Sequence, residues 1–209
     1  QWNGELCNKK KNGELYIEWL SIKVIFNEDK TVKMYVATFS DITEKKKADE
    51  IIWRQANYDL LTNLPNRHLF NDCLKREIKI ANRTKKSLAI LFIDLDYFKE
   101  VNDAYGHEIG DSLLIKVAKR INETIRETDT VARLGGDEFV VILSQMENEN
   151  DINKVAKLII NKLSIPFDLN GITVTISASI GISIYPKDSL VEKELLIYAD
   201  KAMYDAKKD

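Results

Sequence analysis

Two hydrophobic rhythms divide the chain. Over roughly the first forty residues apolar positions alternate loosely, as in half-buried strands. In "ELYIEWLSIKVIF", Tyr16, Glu18 and Leu20 fall on one side and Ile17 and Trp19 on the other. "NEDK" follows as a polar turn, and "TVKMYVATFS" reads as a second strand rich in β-branched and aromatic residues. Two or three strands alone rarely form a stable domain, so this region reads as half of a sheet. The next stretch, "TEKKKADEIIWRQANYD", changes to helical spacing, with Thr43 placed to cap it and Ala48, Ile51, Ile52 and Gln55 on a narrow stripe. It is either a solvated connector or a helix that pairs with its twin in a dimer.

From Asp59 onward helices alternate with strands. Phe70, Leu74 and Ile78 recur at helical spacing, "LAILFID" is a continuous apolar run, and Leu113, Val117, Ile121 and Ile125 form one stripe. The apolar run predicts a central strand covered on both faces. "TVARL" and "EFVVIL" are short strands joined through Gly135 and Gly136, and Ile152, Val155, Ala156 and Ile159 mark another amphipathic helix. In "ITVTISASIGISI" the even positions from Val174 to Ile184 are apolar and the odd ones are Thr, Ser or Gly, which predicts one long strand. Asn170-Gly171 just before it signals a hairpin. A last helix carries Leu195, Ala199, Ala202 and Ala206. The pattern predicts an α/β (α+β) domain with a mixed, partly antiparallel sheet and helices packed on it.

Composition narrows the function classes. A net charge of −2 provides no global basic field for nucleic acid or anionic lipid, so phosphate binding must be local. Cys7 and Cys73 stand far apart without His neighbours at metal spacing, which argues against a disulfide framework or a zinc site and fits a reducing cytoplasm. The longest apolar run, Leu88 to Ile93, falls far short of the ~20 residues that span a bilayer. The chain starts at Gln1 without a leader pattern and is expected to be part of something longer, in which a membrane-attached portion is compatible with this reading.

The candidate chemistry gathers at two strand tips. "LAILFIDLD" is greasy until Asp94, and a carboxylate at the tip of a buried strand is costly unless paired or coordinated. "EFVVIL" is preceded by a turn bearing Asp137 and Glu138. If the two strands are neighbours, Asp94 and Asp137 converge and call for a cation. Oxygen ligands without His or Cys point to Mg²⁺, and a metal pair is the usual device for phosphoryl transfer. Gly135 and Gly136 would permit the tight turn and a close approach of substrate. An ordinary hairpin with solvated acids is the alternative. In "LDYFKEVNDAYGHEIGD" the chain turns from strand into a short helix whose first amides, with Lys99, suit phosphate. Asp96 stands where an N-cap belongs, and Asp111 reads by default as the cap of the helix after Gly110. Asn102 and Asp111 are also chemically able to read a guanine edge.

At these residues the chain resembles a known family. "RLGGDEF" is similar to the signature of GGDEF diguanylate cyclases, and the likeness extends to "DLLTNLPNR", "FIDLDYFKEVNDAYGHEIGD", "ISASIGIS" and "YADKAMYDAK", over roughly 59–209. The resemblance implies a palm-like, ferredoxin-related fold and the condensation of two GTP to cyclic di-GMP and two pyrophosphates. It implies that Asp94, the Leu95 carbonyl and Asp137 bind Mg²⁺, with Mn²⁺ as a substitute, and that Glu138 supports the acidic site. It further implies that Phe98, Lys99 and Lys207 hold phosphates, and that Asn102 and Asp111 read guanine with His107 near the nucleotide. Each domain would hold one GTP, so catalysis requires a homodimer. Arg126 and Asp129 of "RETD" match the family's inhibitory product site; the plain reading is a helix-end Arg and a turn Asp.

Residues 1–43 resemble the C-terminal part of a PAS sensor, and 44–58 the connector helix leading out of it. Two other functions fit the same motifs: a non-catalytic module binding GTP or cyclic di-GMP, and a synthase of mixed purine cyclic dinucleotides. A nucleic-acid polymerase is disfavoured by the lack of a basic groove.

Overall fold

A computed structural model describes residues 1–208 of the chain, which divides into two compact units, Gln1–Ala56 and the residues from Asn57 on. In the first unit, strands β1 (Trp2–Lys9), β2 (Leu15–Phe26) and β3 (Val32–Asp41) form an antiparallel sheet in that order. The register places Leu20 opposite Phe39, Val24 opposite Tyr35 and Trp2 opposite Ile22, so one face is apolar. Every residue of β3 is exposed. Glu18 is the exception among the polar groups: it is buried and accepts from the Tyr16 hydroxyl at 2.7 Å and the Asn8 amide at 3.4 Å. Helix α1 (Thr43–Asn57) follows. Thr43 does not cap it through its side chain. The Thr43 hydroxyl accepts from the Ile17 amide at 2.9 Å, tying the helix start to β2, while the Asp41 carboxylate takes the Thr43 amide at 2.9 Å.

The second unit opens with α2 (Arg67–Thr84), capped by Asn66, whose side chain accepts from the amides of His68 and Leu69. Then come β4 (Ser87–Asp96), α3 (Phe98–Tyr105), α4 (His107–Asn122), β5 (Thr130–Gly135), β6 (Glu138–Met146) and α5 (Glu149–Leu163). The short strands β7 (Phe167–Leu169) and β8 (Ile172–Val174), then β9 (Ser177–Tyr185) and α6 (Glu192–Ala206), complete it. The main sheet has the order β5-β6-β4-β9. β4 is central and alternates its side chains between two cores. Ala89, Leu91 and Ile93 join Leu113, Val117 and Ile159 of α4 and α5. Leu88, Ile90 and Phe92 join Phe70, Leu74, Leu195 and Met203 of α2 and α6. Burial on both faces explains the unbroken apolar run, and each such side chain contributes roughly 1.5–3 kcal/mol.

The expected α+β class with a ferredoxin-related sheet stands. Its pairing is not mixed, however: each described pair of neighbouring strands is antiparallel. The β6 strand lies between β5 and β4, so the parallel partners linked through α3 and α4 never touch. The long strand expected from 172 is broken between Val174 and Ser177; its first part closes the predicted Asn170-Gly171 hairpin with β7, and its second joins the main sheet. The small odd positions of β9 have a packing role at its C-terminal half. Gly181 and Ser183 are buried, and the Ser183 hydroxyl donates to the Leu195 carbonyl at 2.7 Å. A Cβ on Gly181 would lie 2.0 Å from the Ala199 carbonyl oxygen and 2.1 Å from the Met203 nitrogen, so smallness here lets α6 lie against the sheet.

Candidate functional site

β4 and β6 are hydrogen-bonded neighbours, with Asp94 opposite Glu138 across the pair. The sequence condition for an acidic cluster is therefore met: Asp94 and the turn acids Asp137 and Glu138 meet at one end of the sheet. The turn itself depends on glycine. Gly136 has φ of 51° and Gly135 of 147°, conformations that side chains resist. Arg133 fixes it from behind. Its Nε and Nη2 donate to the Gly136 carbonyl at 2.9 and 2.8 Å, and its Nη1 donates to both carboxylate oxygens of Asp59 at 2.9 and 3.0 Å. The Arg133 amide donates to the Pro65 carbonyl at 3.0 Å, so the segment after Asp59 is laced to β5.

The electrostatics divide these acids into two kinds. Burial tends to raise the Asp59 pKa, but the Thr62 hydroxyl and amide together with Arg133 hold it below the ordinary carboxylate range. Asp137 is pushed up, by burial first and then by the charge of Asp94, against help from its own backbone amide, Lys207 and Arg133. Glu138 is also pushed up by burial, with Asp200, Asp137 and Asp94 adding repulsion and Arg67, at 3.8 Å, opposing it. Lys207 pairs with Asp94, and this bond raises its pKa. Burial and mutual repulsion thus disfavour the charged forms of Asp137 and Glu138, a cost that a bound cation would relieve.

A cavity of about 500 Å³ opens beside these acids, lined by Leu95, Phe98, Lys99, Asp137 and Lys207 together with Asp96, Ser177 and Ser179. It gathers two of the metal candidates, Leu95 and Asp137, with the phosphate candidates of α3 and the end of α6, and Asp94 reaches it through its pair with Lys207. A larger cavity of about 640 Å³ between α2 and α4 includes Asp129 but none of those candidates. Chemistry rather than volume identifies the site. Among the described residues no three His, Cys, Asp or Glu side chains form a self-sufficient metal cluster. Asp137 and Leu95 at the cavity wall, with Asp94 on the neighbouring strand end, still fit Mg²⁺, which is normally held by one or two carboxylates, with water and substrate phosphates completing its shell.

Two expected caps are corrected. Asp96 does not cap α3. The cap is Tyr97, left-handed at φ 62° and without a side-chain bond. The Asp96 carboxylate turns instead to β9 and accepts from the hydroxyls of Ser177 at 2.6 Å and Ser179 at 2.8 Å. Asp111 does not cap α4, because the helix already starts at His107 behind Gly106. It lies exposed in the helix, as does His107, while Asn102 of α3 is half-buried. These three stand on the α3–α4 corner, outside the lining of the acidic cavity. Arg126 and Asp129 are farther away, at the opposite end of β5, where the Asp129 carboxylate accepts from the amides of Arg126 at 3.1 Å and Ser144 at 3.0 Å.

Sequence reasoning missed the Arg133–Asp59 pair and the Asp96–Ser177–Ser179 link. All five residues lie inside the motifs that carried the resemblance, but nothing local in those motifs says that they meet.

The family model "Diguanylate cyclase, GGDEF domain" matches residues 56–209. The chain is 47% identical over 165 residues to the bifunctional diguanylate cyclase/cyclic di-GMP phosphodiesterase MucR of Pseudomonas aeruginosa, covering 79% of this chain and 24% of that protein. The solved structure of an N-terminally truncated TpbB (YfiN) from P. aeruginosa comprising only the GGDEF domain is similar at a TM-score of 0.71 and 46% identity, covering 72% of this chain and 88% of that one. The coiled coil and GGDEF domain of DgcB from Caulobacter crescentus, solved with c-di-GMP, is similar at a TM-score of 0.70 and 27% identity, covering 80% and 88%. The chain spans 24% of full-length MucR and 36% of full-length TpbB. Among the described residues no helix is long and apolar enough to cross a membrane. Family model, relatives and site geometry agree: the chain belongs to the GGDEF diguanylate cyclase domain family.

Proposed function

We propose that this chain condenses two GTP molecules into cyclic di-GMP and two pyrophosphates. The observation that carries the reading is the meeting of Asp94, Asp137 and Glu138 at adjacent strand ends, two of them held above their ordinary pKa, beside a cavity faced by Lys99 and Lys207. Asp94, Asp137 and the Leu95 carbonyl would hold Mg²⁺, for which Mn²⁺ would substitute. When bound, the metal supplies Lewis-acid neutralisation of the phosphate oxygens.

The chain's own groups then divide the work. Lys99 and Lys207 balance the charge of the departing pyrophosphate, and the backbone at Phe98 seats it at the start of α3. Lys207, paired with Asp94, already stands in the acidic cavity. Glu138 helps to handle the proton of the attacking 3′-hydroxyl, a task suited to a carboxylate whose pKa lies above its usual range. Asn102 and Asp111 read guanine, with His107 close to the nucleotide. Each domain holds one GTP and the nucleophile comes from the other, so two domains face each other and proximity becomes a regulated quantity. Residues 44–58 would set that approach, and residues 1–43 would act as the end of a PAS-like sensor. Arg126, with the Asp129 turn, would bind the product and restrain turnover.

The test is magnesium-dependent turnover of GTP by the purified chain, with the products separated by chromatography. Cyclic di-GMP and pyrophosphate, both absent with Asp137→Ala, are expected. GTP that binds at high protein concentration without turning over would overturn the cyclase reading in favour of a receptor module.

A further inference from the structure

Helix α4 carries a glycine, Gly110, that its backbone does not need. Glycine is a poor helix former, and alanine is the better residue at a helical position. The φ of Gly110 is not in the positive region, unlike that of Gly106 just before the helix. Gly110 is buried, and what covers it is specific. A Cβ built there would lie 2.0 Å from the Asn102 Oδ1, 3.0 Å from its Cγ and 3.3 Å from the Phe98 Cζ. The missing methyl leaves a slot, and the Asn102 carboxamide lies in it.

The contrast with Gly181 separates fold from function. At Gly181 the added Cβ would meet backbone atoms of α6, which cannot move without unpacking the helix. At Gly110 it would meet side chains alone: the far end of Asn102, which can swing away, and the tip of the Phe98 ring at 3.3 Å, which need give only a few tenths of an ångström. Alanine at Gly110 would therefore cost the fold little, while displacing Asn102 from its place against Gly110, the residue before Asp111 in α4.

We propose that Gly110 determines nucleobase specificity as a positioning residue: it provides the slot that holds the Asn102 carboxamide in the orientation that reads guanine. The inference rests on the reading above that Asn102 and Asp111 contact the base. Without the slot, Asn102 takes other rotamers and its donor and acceptor no longer meet the base edge, so a purine with different edge groups is bound nearly as well.

Equilibrium binding of GTP and of ATP, with Mg²⁺, to the wild-type chain and to the Gly110→Ala, Asn102→Ala and doubly substituted chains tests this, with thermal unfolding of each. Gly110→Ala is expected to melt at or above the wild-type temperature and to lose at least about tenfold in its preference for GTP over ATP. Asn102→Ala is expected to lose the same preference, and the double variant no more than Asn102→Ala alone. A Gly110→Ala chain that keeps the wild-type preference while Asn102→Ala loses it would overturn the proposal. So would a Gly110→Ala chain that fails to fold while the double variant also unfolds, since the glycine would then serve the helix packing. If Asn102→Ala keeps the preference, the guanine reading of Asn102 itself fails, and the proposal with it.

Discussion

Strand β5 has a turn at each end, and each turn holds an aspartate. At its start, Asp129 accepts from two backbone amides, those of Arg126 and Ser144, and its own amide donates to the Arg126 carbonyl at 2.9 Å. At its finish, Asp137 is half-buried near the charge of Asp94 with its pKa raised, and Lys207 and Arg133 only partly offset the desolvation and repulsion. The first acid is satisfied by the chain and closes a turn. The second is left short of compensation by the chain, at the mouth of a cavity. An acid that its own protein satisfies serves the fold; one that it does not is held ready for a ligand. The same contrast separates Asp59, bound by Thr62 and Arg133, from Glu138.

The largest effect that would break this contrast is on turnover. Asp137→Ala should lower the rate of cyclic di-GMP formation by about 10³-fold or more, the scale on which a site loses its main electrostatic element; a chain retaining a tenth of its rate would place the metal elsewhere. Next comes Arg133→Ala, which releases both the Gly136 carbonyl and Asp59. Misplacement of the turn by about an ångström predicts a fall of roughly 10²-fold in kcat, measured with GTP at saturation, and an unchanged rate would show that the glycines hold the turn alone. Arg126→Ala sharpens the other end of β5. Its side chain is exposed, whereas the turn is closed through its backbone, so the melting temperature should stay within about a degree while product inhibition weakens, for a surface change costs at most ~0.5 kcal/mol.

The smallest effect is on pH. The Asp59 pKa lies below its unfolded value near 3.8, so its contribution to stability is complete above that value and is lost as the pH falls through the lowered folded pKa. Denaturant titrations of the wild-type chain and Asp59→Asn should therefore converge in strong acid and separate above it. A gap that is constant with pH would assign Asp59 a role independent of charge.

The part of this site that sequence made legible is the part set by local pattern. The greasy run ending at Asp94 and the glycine turn before "EFVVIL" announce two buried strand ends with acids, and β4 and β6 do pair there. Unbroken hydrophobicity identified β4 as central because both its faces are covered. The contacts that escaped are long-range ones made by short polar side chains. Asp96 meets Ser177 and Ser179 across 81 and 83 residues, and Arg133 meets Asp59 across 74. A carboxylate at a strand end has a local use as a helix cap, and local reasoning assigns Asp96 that role. Only the sheet register, which sets Asp96 opposite Ser177, reveals the alternative. Likewise the alternation along β9 shows a small, polar set of positions, but its use appears only when α6 is seen lying against Gly181 and Ser183.

The central claim, that the two ends of β5 hold acids of opposite kind, is tested most directly by denaturant unfolding of Asp129→Asn and Asp137→Asn, side by side, at neutral pH without nucleotide. Asp129→Asn should lose about 1–3 kcal/mol, because an amide nitrogen then faces a backbone N–H that has lost its acceptor. Asp137→Asn should lose nothing or gain slightly, because a half-buried charge repelled by Asp94 has been removed. Equal losses in the two variants, or a larger loss at Asp137, would contradict the account.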